Sequence, residues 1–410
     1  MNVKFFKRAV KCLDATIGIV SNNKELIRDK RFFQSPKMES LLTNIHKLPE
    51  VPYENIDAEF IVVDDPQVRP SISIGPRTCF CAGDFTRMEK ECADIRYGLF
   101  GNLGLFFRYT LAVLERYHGI YSFHASSMYI PSNNTLLLVI GEAGAGKTVY
   151  LLEGVVHDWK IFSTEMTHLR LTKKGYEFYK GSLYDNVRVG NLVYDFPEAI
   201  DKLKLKIPKV DNIWGHKITI DLEPLQAADV YKNPRVQIAN VKIESDRTRA
   251  DVGVMKNKDK IVWTLYKNAS EKLAPPWLMY ERIPVDGCGD ESLSCARLEV
   301  LRRFMEIGDI LPVKSIFAGV KPSKLSTART RATPQTGPLL ILKKILSPRS
   351  TAPYGARHVK PNRDSTTLSP ASIKSRYAFF KIAKCALPIT IPPKKLTALT
   401  PEPRTSIIRT

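Results

Sequence analysis

The chain has 410 residues, enough for two or three domains at roughly 150 residues each. Apolar residues make up 44%, which excludes a wholly disordered chain, while a formal charge of +20 invites a nucleic-acid reading. Dividing that charge by segment removes the invitation: Lys321 to Thr410 hold 18 Lys+Arg against two acids, Asp364 and Glu402, together with 12 of the 27 prolines. The first 320 residues keep 44 basic and 40 acidic residues and are nearly balanced. The body is therefore expected to work without a nucleic-acid partner. The seven cysteines of the whole chain include a C-x-C at Cys79 and Cys81 but no C-x-x-C, with no histidine at metal-ligand spacing. Reduced thiols in a cytoplasmic protein are the expectation. Lys4, Lys7, Arg8 and Lys11 precede an apolar stretch broken by Asp14, a poor signal peptide. Leu103 to Leu114 comes nearest to a membrane span and is interrupted by Arg108, so no span is expected.

In chain order, residues 1–100 read as a small α+β region. Ala58 to Val63 alternate as a strand closed by Asp64-Asp65-Pro66. A nucleotide-binding domain is expected over 101–320. Leu105, Tyr109, Ala112, Val113 and Tyr117 share helical spacing, with Arg116 intruding and Gly119 as the stop. Ser126 to Ile130 and Thr135 to Ile140 flank Pro131-Ser132-Asn133-Asn134, the chemistry of a β-hairpin turn. A helix from Thr148 to about Asp158 follows, with Leu151, Leu152, Val155 and Val156 on one face, and then a short strand, Lys160-Ile161-Phe162. Further strands are expected at Lys217 to Leu222, Val236 to Ile243 and Ile261 to Tyr266. A last helix is expected at Ser292 to Ile307, with Leu293, Ala296, Val300 and Phe304 as its stripe. Residues 321–410 read as a mostly disordered basic, Pro-rich tail, with short helices conceivable at Leu339 to Leu346 and Tyr377 to Ile382. A nucleic-acid or anionic-surface arm, a docking segment for an acidic partner and an extension without function all fit its composition.

Between the hairpin and the next helix, Gly141-Glu142-Ala143-Gly144-Ala145-Gly146-Lys147-Thr148 fits G-x-x-x-x-G-K-[ST]. Glycines let successive N–H groups turn toward a phosphate, and the following helix aims its positive end at the same anion. Lys147 is placed to neutralise β/γ oxygens of ATP, and the Thr148 hydroxyl to ligate Mg²⁺. An acid arrives early: Glu165 closes the next strand, 18 residues after Lys147. In a βαβ unit the two strand ends lie on one edge of the sheet, which would bring Glu165 toward the phosphates as a second metal ligand.

The order Phe123-His124-Ala125-Ser126-Ser127, hairpin, Gly141–Thr148 loop, short helix, then Thr164-Glu165 resembles the HPr kinase/phosphorylase family, within the phosphoenolpyruvate-carboxykinase-like fold. The resemblance spans Phe123 to Glu165, and nothing in the first 100 residues adds to it. It implies an α/β core with a mixed sheet, an oligomer, and ATP-dependent phosphoryl transfer to a hydroxyl, typically a serine. Lys147, Glu165 and His124 then become the catalytic candidates, and Thr148 and Glu165 the Mg²⁺ ligands. The family carries two adjacent aspartates where this chain has Thr164 and Glu165, a departure that touches catalysis more than nucleotide binding. Two other readings stay open beside the kinase: a nucleotide-binding regulatory or interaction module, and an ATPase without transfer activity. The acceptor, whether protein, peptide or small molecule, is not legible.

Other candidates have plain competitors. His124 is a phosphate or acceptor contact, or a satisfied core histidine. His168 packs or caps. Arg188 and Arg235 clamp phosphate or make ordinary salt bridges, Asp185 and Asp195 add metal ligation or none, and Asp286 to Glu291 form a loop with a helix cap rather than a metal site.

Overall fold

The computed structural model describes residues 4–28, 48–244 and 251–319, and the expectations for the 321–410 tail lie outside them. The chain is a mixed α/β protein with mixed sheets. No described helix is long and apolar enough to cross a membrane.

The first sheet has six strands: β1 (Phe6–Cys12), β2 (Ala15–Ser21), β3 (Glu50–Val51), β4 (Ala58–Asp64), β5 (Ser71–Ile74) and β6 (Thr78–Gly83), in the order β3-β1-β2-β4-β6-β5. β2, β4 and β6 run parallel. β4 is the strand expected at 58–63. Asp64 ends it by accepting the N–H groups of Phe85 and Thr86, where a short helix, α1 (Phe85–Glu91), begins. The sheet shares an apolar cluster with α2 (Leu105–His118) and with Leu273, Trp277, Met279, Tyr280 and Leu293. Gly119 stops α2 in the left-handed region (φ 61°). Every residue from Leu105 to Glu115 is buried, so the helix is covered all round rather than on one stripe.

The second sheet holds β7 (Ile120–Ile130), β8 (Thr135–Ile140), β9 (Lys160–Ser163), β10 (Met166–Thr172), β11 (Gly175–Tyr179), β12 (Val230–Lys232), β13 (Arg235–Glu244), β14 (Asp251–Val254) and β15 (Lys314–Gly319). The expected hairpin is β7–β8, turned through Asn134 at φ 52°, with β7 six residues longer at its start than the sequence indicated. β8, β13 and β15 are parallel neighbours. Leu137 and Val139 of β8 join an apolar cluster with α3 (Lys147–Val156), while Leu136, Leu138 and Ile140 join another with α4 (Lys258–Ser270) and α5 (Glu291–Ile307). Burial on both faces explains the unbroken Leu-Leu-Leu-Val-Ile run.

The strand expected at Ile261 to Tyr266 is instead the middle of α4. Asn257 caps that helix by accepting from the Lys260 N–H, and Ile261, Val262, Leu265 and Ala269 are buried at helical spacing. A short β-like run, Ile-Val-Trp-Thr-Leu-Tyr, is overridden by the cap and by packing. In α5 the buried line is Leu293, Arg297, Leu301 and Phe304, with Ala296 and Val300 only half-buried, because Arg297 faces Glu115 in the interior.

Candidate functional site

β7 runs between β8 and β9 and is antiparallel to both. The expectation that β8 and β9 end on one edge therefore holds, with β7 in between rather than as direct neighbours. Register does the rest. Ala125 pairs with Ile140 and Met166 with His124, so His124 stands level with the start of the 141–148 loop and beside the Thr164-Glu165 turn.

The loop leaves β8 and enters α3 at Lys147. Gly144 and Gly146 take φ of 79° and 94°. At Gly146 a Cβ would also lie 2.3 Å from the Ile243 side chain of β13, so both conformation and space require glycine. The Ile243 N–H donates to the Ala145 carbonyl at 3.0 Å, tying the loop to the sheet. Glu142, Ala143 and Gly144 form the exposed tip, while Ala145 and Lys147 are buried and Gly141, Gly146 and Thr148 half-buried. Lys147 Nζ donates to the carbonyls of Gly141 (2.8 Å) and Glu142 (3.1 Å), folding the side chain back over its own loop. Burial pushes its ammonium down to about 8, against the pull of Glu271 and Glu165.

Glu165 keeps a third of its side chain open (34%), with Oε1 3.6 Å from His124 Nε2. Burial would raise its carboxyl, but the neighbouring His124 ring and the charges of Lys272 and Lys147 outweigh it and hold the group at about 2. His124 is itself buried. Its other nitrogen, Nδ1, lies 2.8 Å from Glu271 Oε1, and its backbone carbonyl accepts from Asn268 Nδ2 at 3.0 Å. Carboxylates thus flank the imidazole on both sides, a charged setting rather than that of a satisfied core histidine.

Asp185 joins this group from a two-stranded ribbon, Tyr184–Arg188 paired with Lys217–Asp221. Burial and the neighbouring Glu165 push its carboxyl up to about 7, against the Thr148 hydroxyl and the Asn186 N–H, which donates to Oδ1 at 2.7 Å. Oδ2 is buried without a hydrogen-bond partner. Two like-charged carboxylates beside a threonine hydroxyl form an oxygen-rich donor set, and a divalent cation would relieve their repulsion. Thr164 has a different task. Buried, it donates its hydroxyl toward the carbonyls of Ser182 (3.0 Å) and Tyr184 (2.8 Å), and its N–H donates to Ser182. It fastens the strand that carries Asp185, and a carboxylate there would face two carbonyl oxygens.

The remaining candidates fall outside the cluster. His168 is wholly buried, with Nδ1 2.8 Å from the Ser122 hydroxyl. Arg188 donates to the Trp214 carbonyl, Arg235 pairs with Asp309 at 3.1 Å, and Asp195 accepts from Asn191 at 2.8 Å. Asp290 caps α5 through the Leu293 N–H, as the loop-and-cap reading expected. Among the described residues no cluster of three or more His, Cys, Asp or Glu side chains forms a metal centre by itself.

The sequence reading missed Glu271 and Lys272, which follow α4, and Arg108. The guanidinium of Arg108 lies 4.1 Å from the Trp277 ring centroid and donates to the carbonyls of Leu103 and Lys272, both at 2.9 Å. The cation in the apolar first half of the helix was visible, but its bond partners were not. Comparison with known proteins finds no matching family model and no matching curated protein.

Proposed function

We propose that the chain is an ATP-dependent phosphotransferase of the HPr-kinase-like class, acting on a hydroxyl acceptor, with a P-loop core of the phosphoenolpyruvate-carboxykinase-like kind. The observation that carries this reading is the convergence of Lys147, Thr148, Glu165, Asp185 and His124 around the loop at one end of the sheet.

In this reading the amides of Gly141–Thr148 cradle the nucleotide phosphates, and Lys147 leaves its loop carbonyls for β/γ oxygens. Thr148, Asp185 and Glu165 are the residues that would hold Mg²⁺, which supplies charge neutralisation on the phosphates. Glu165, oriented by His124, accepts a hydrogen bond from the acceptor hydroxyl. The acceptor oxygen bonds to the γ-phosphorus as the bond to the β-phosphate oxygen breaks. The hydroxyl proton passes to Glu165 late, once the forming O–P bond has acidified it, and ADP leaves with the bridging oxygen. A carboxylate held near 2 is a weak base, which suits a loose transfer that depends on positioning and electrostatics.

A pure binding module was suggested by Thr164 in place of an aspartate. Asp185 supplies a second carboxylate beside Glu165, and this favours transfer. Titration of the full chain with Mg·ATP tests the site: Lys147→Ala should weaken binding by at least about tenfold. Equal affinity in the variant removes the assignment. Phosphate appearing on a protein or metabolite from labelled ATP identifies the kinase, whereas turnover to free phosphate without any acceptor identifies an ATPase.

A further inference from the structure

We infer that Lys272 is a second phosphate-binding cation, one that takes the terminal phosphoryl group of the nucleotide while the loop and Lys147 hold the groups behind it. This inference rests on the nucleotide-binding reading above. Lys272 is 9% exposed, yet its ammonium has no hydrogen bond and no ion pair among the described residues. The stem is packed away from water while the ammonium at its end makes no bond of its own among those residues. Lys272 directly follows Glu271, whose Oε1 lies 2.8 Å from His124 Nδ1, and the other nitrogen of that ring lies 3.6 Å from Glu165 Oε1. The charge of Lys272 is felt by both carboxylates. It therefore belongs to the Glu165 flank, where an acceptor would meet the phosphoryl group.

The turn that carries it is fixed. The Lys272 carbonyl accepts from Arg108, Leu273 N–H and Ala274 N–H donate to the Ser270 carbonyl, and Leu273 is fully buried. Asn268 and Glu271, on either side of Ser270, hold His124 through its carbonyl and its ring. The backbone is thus pre-set while the ammonium stays unengaged, an arrangement suited to a charge that develops on the terminal oxygens during transfer. Lysine acts on phosphate as a point charge, so a tetrahedral dianion is the chemistry recognised.

Calorimetric titration of the full chain with Mg·ATP and Mg·ADP, for wild type, Lys272→Met and Lys272→Arg, tests this. The Met variant should lose on the order of tenfold or more in ATP affinity while ADP affinity stays within about twofold, and Arg should restore most of the loss. The ligand-free Met variant should keep a single cooperative melt, so that a loss of ATP affinity is read on a folded chain. Equal losses for ATP and ADP, or no loss for either, overturns the assignment of Lys272 alone. A wild-type chain that binds neither nucleotide sinks the nucleotide reading as well.

Discussion

Asp185 shows how one side chain reports the needs of the site. Its carboxyl is pushed up to about 7 because it is buried next to Glu165. A raised acid contributes stability that is complete below its unfolded value, near 4, and that is lost as pH rises through 7. In metal-free buffer the wild-type chain should therefore lose unfolding free energy between about pH 4 and about pH 7, and Asp185→Asn should abolish that slope. Glu165, held at about 2, has the opposite sign and a different window: its contribution is present above the ordinary carboxylate value and lost as pH falls through 2. Urea midpoints for the two proteins at about pH 5 and about pH 7.5 check this, and parallel shifts in both would count against it. In the sequence Asp185 stood beside Asp195 as a candidate metal ligand, with nothing to choose between them. Its importance comes from burial and from a neighbour 20 positions away, neither of which local spacing encodes.

At the level of elements, helix ends and hairpin turns were legible because their chemistry is local. Gly119, the Pro-Ser-Asn-Asn turn, the glycine-rich loop and Asp290 each act within a few residues. The interior of α4 was not legible, since five of the six residues from Ile261 to Tyr266 favour a strand in a short window. Packing between helices was equally hidden. Arg297 of α5 makes a two-pronged pair with Glu115 of α2, Nε to Oε1 at 2.9 Å and Nη2 to Oε2 at 2.7 Å, with both side chains at 0% exposure. Ser270, at the end of α4, accepts from Nη1 at 3.0 Å, so three helices meet at one guanidinium. Removing a single partner strands a buried charge. Glu115→Ala should cost about 3–5 kcal/mol, while Glu115→Leu with Arg297→Met should recover most of it. Chemical unfolding of the single and double variants measures the difference, and simple additivity would contradict a paired role.

Over the whole molecule, the site is assembled from distant stretches: the 141–148 loop, Glu165, Asp185, His124 and the 268–272 turn. Arg108 links α2, which packs against the first sheet, to the carbonyl of Lys272, so the amino-terminal half supports the site without contributing a motif. The basic tail lies outside the described residues. A chain ending at Val320 sheds a formal +16 and should keep Mg·ATP affinity within about threefold of the full chain, measured by the same titration. A larger loss would make the tail part of the site.

The sequence by itself determined the loop, the helix that follows it, the early acid at Glu165 and the division of +20 between a balanced body and a basic tail. Each depends on residue type at short range, where backbone conformation and charge counts are set. Tertiary structure alone decided that β7 lies between β8 and β9, that His124 stands between Glu165 and Glu271, that Asp185 comes beside Glu165 while Thr164 clamps the backbone, and that the Lys272 side chain is packed with its ammonium unengaged among the described residues. Those facts depend on strand order, register and desolvation, which arise only when segments far apart in the chain exclude water together.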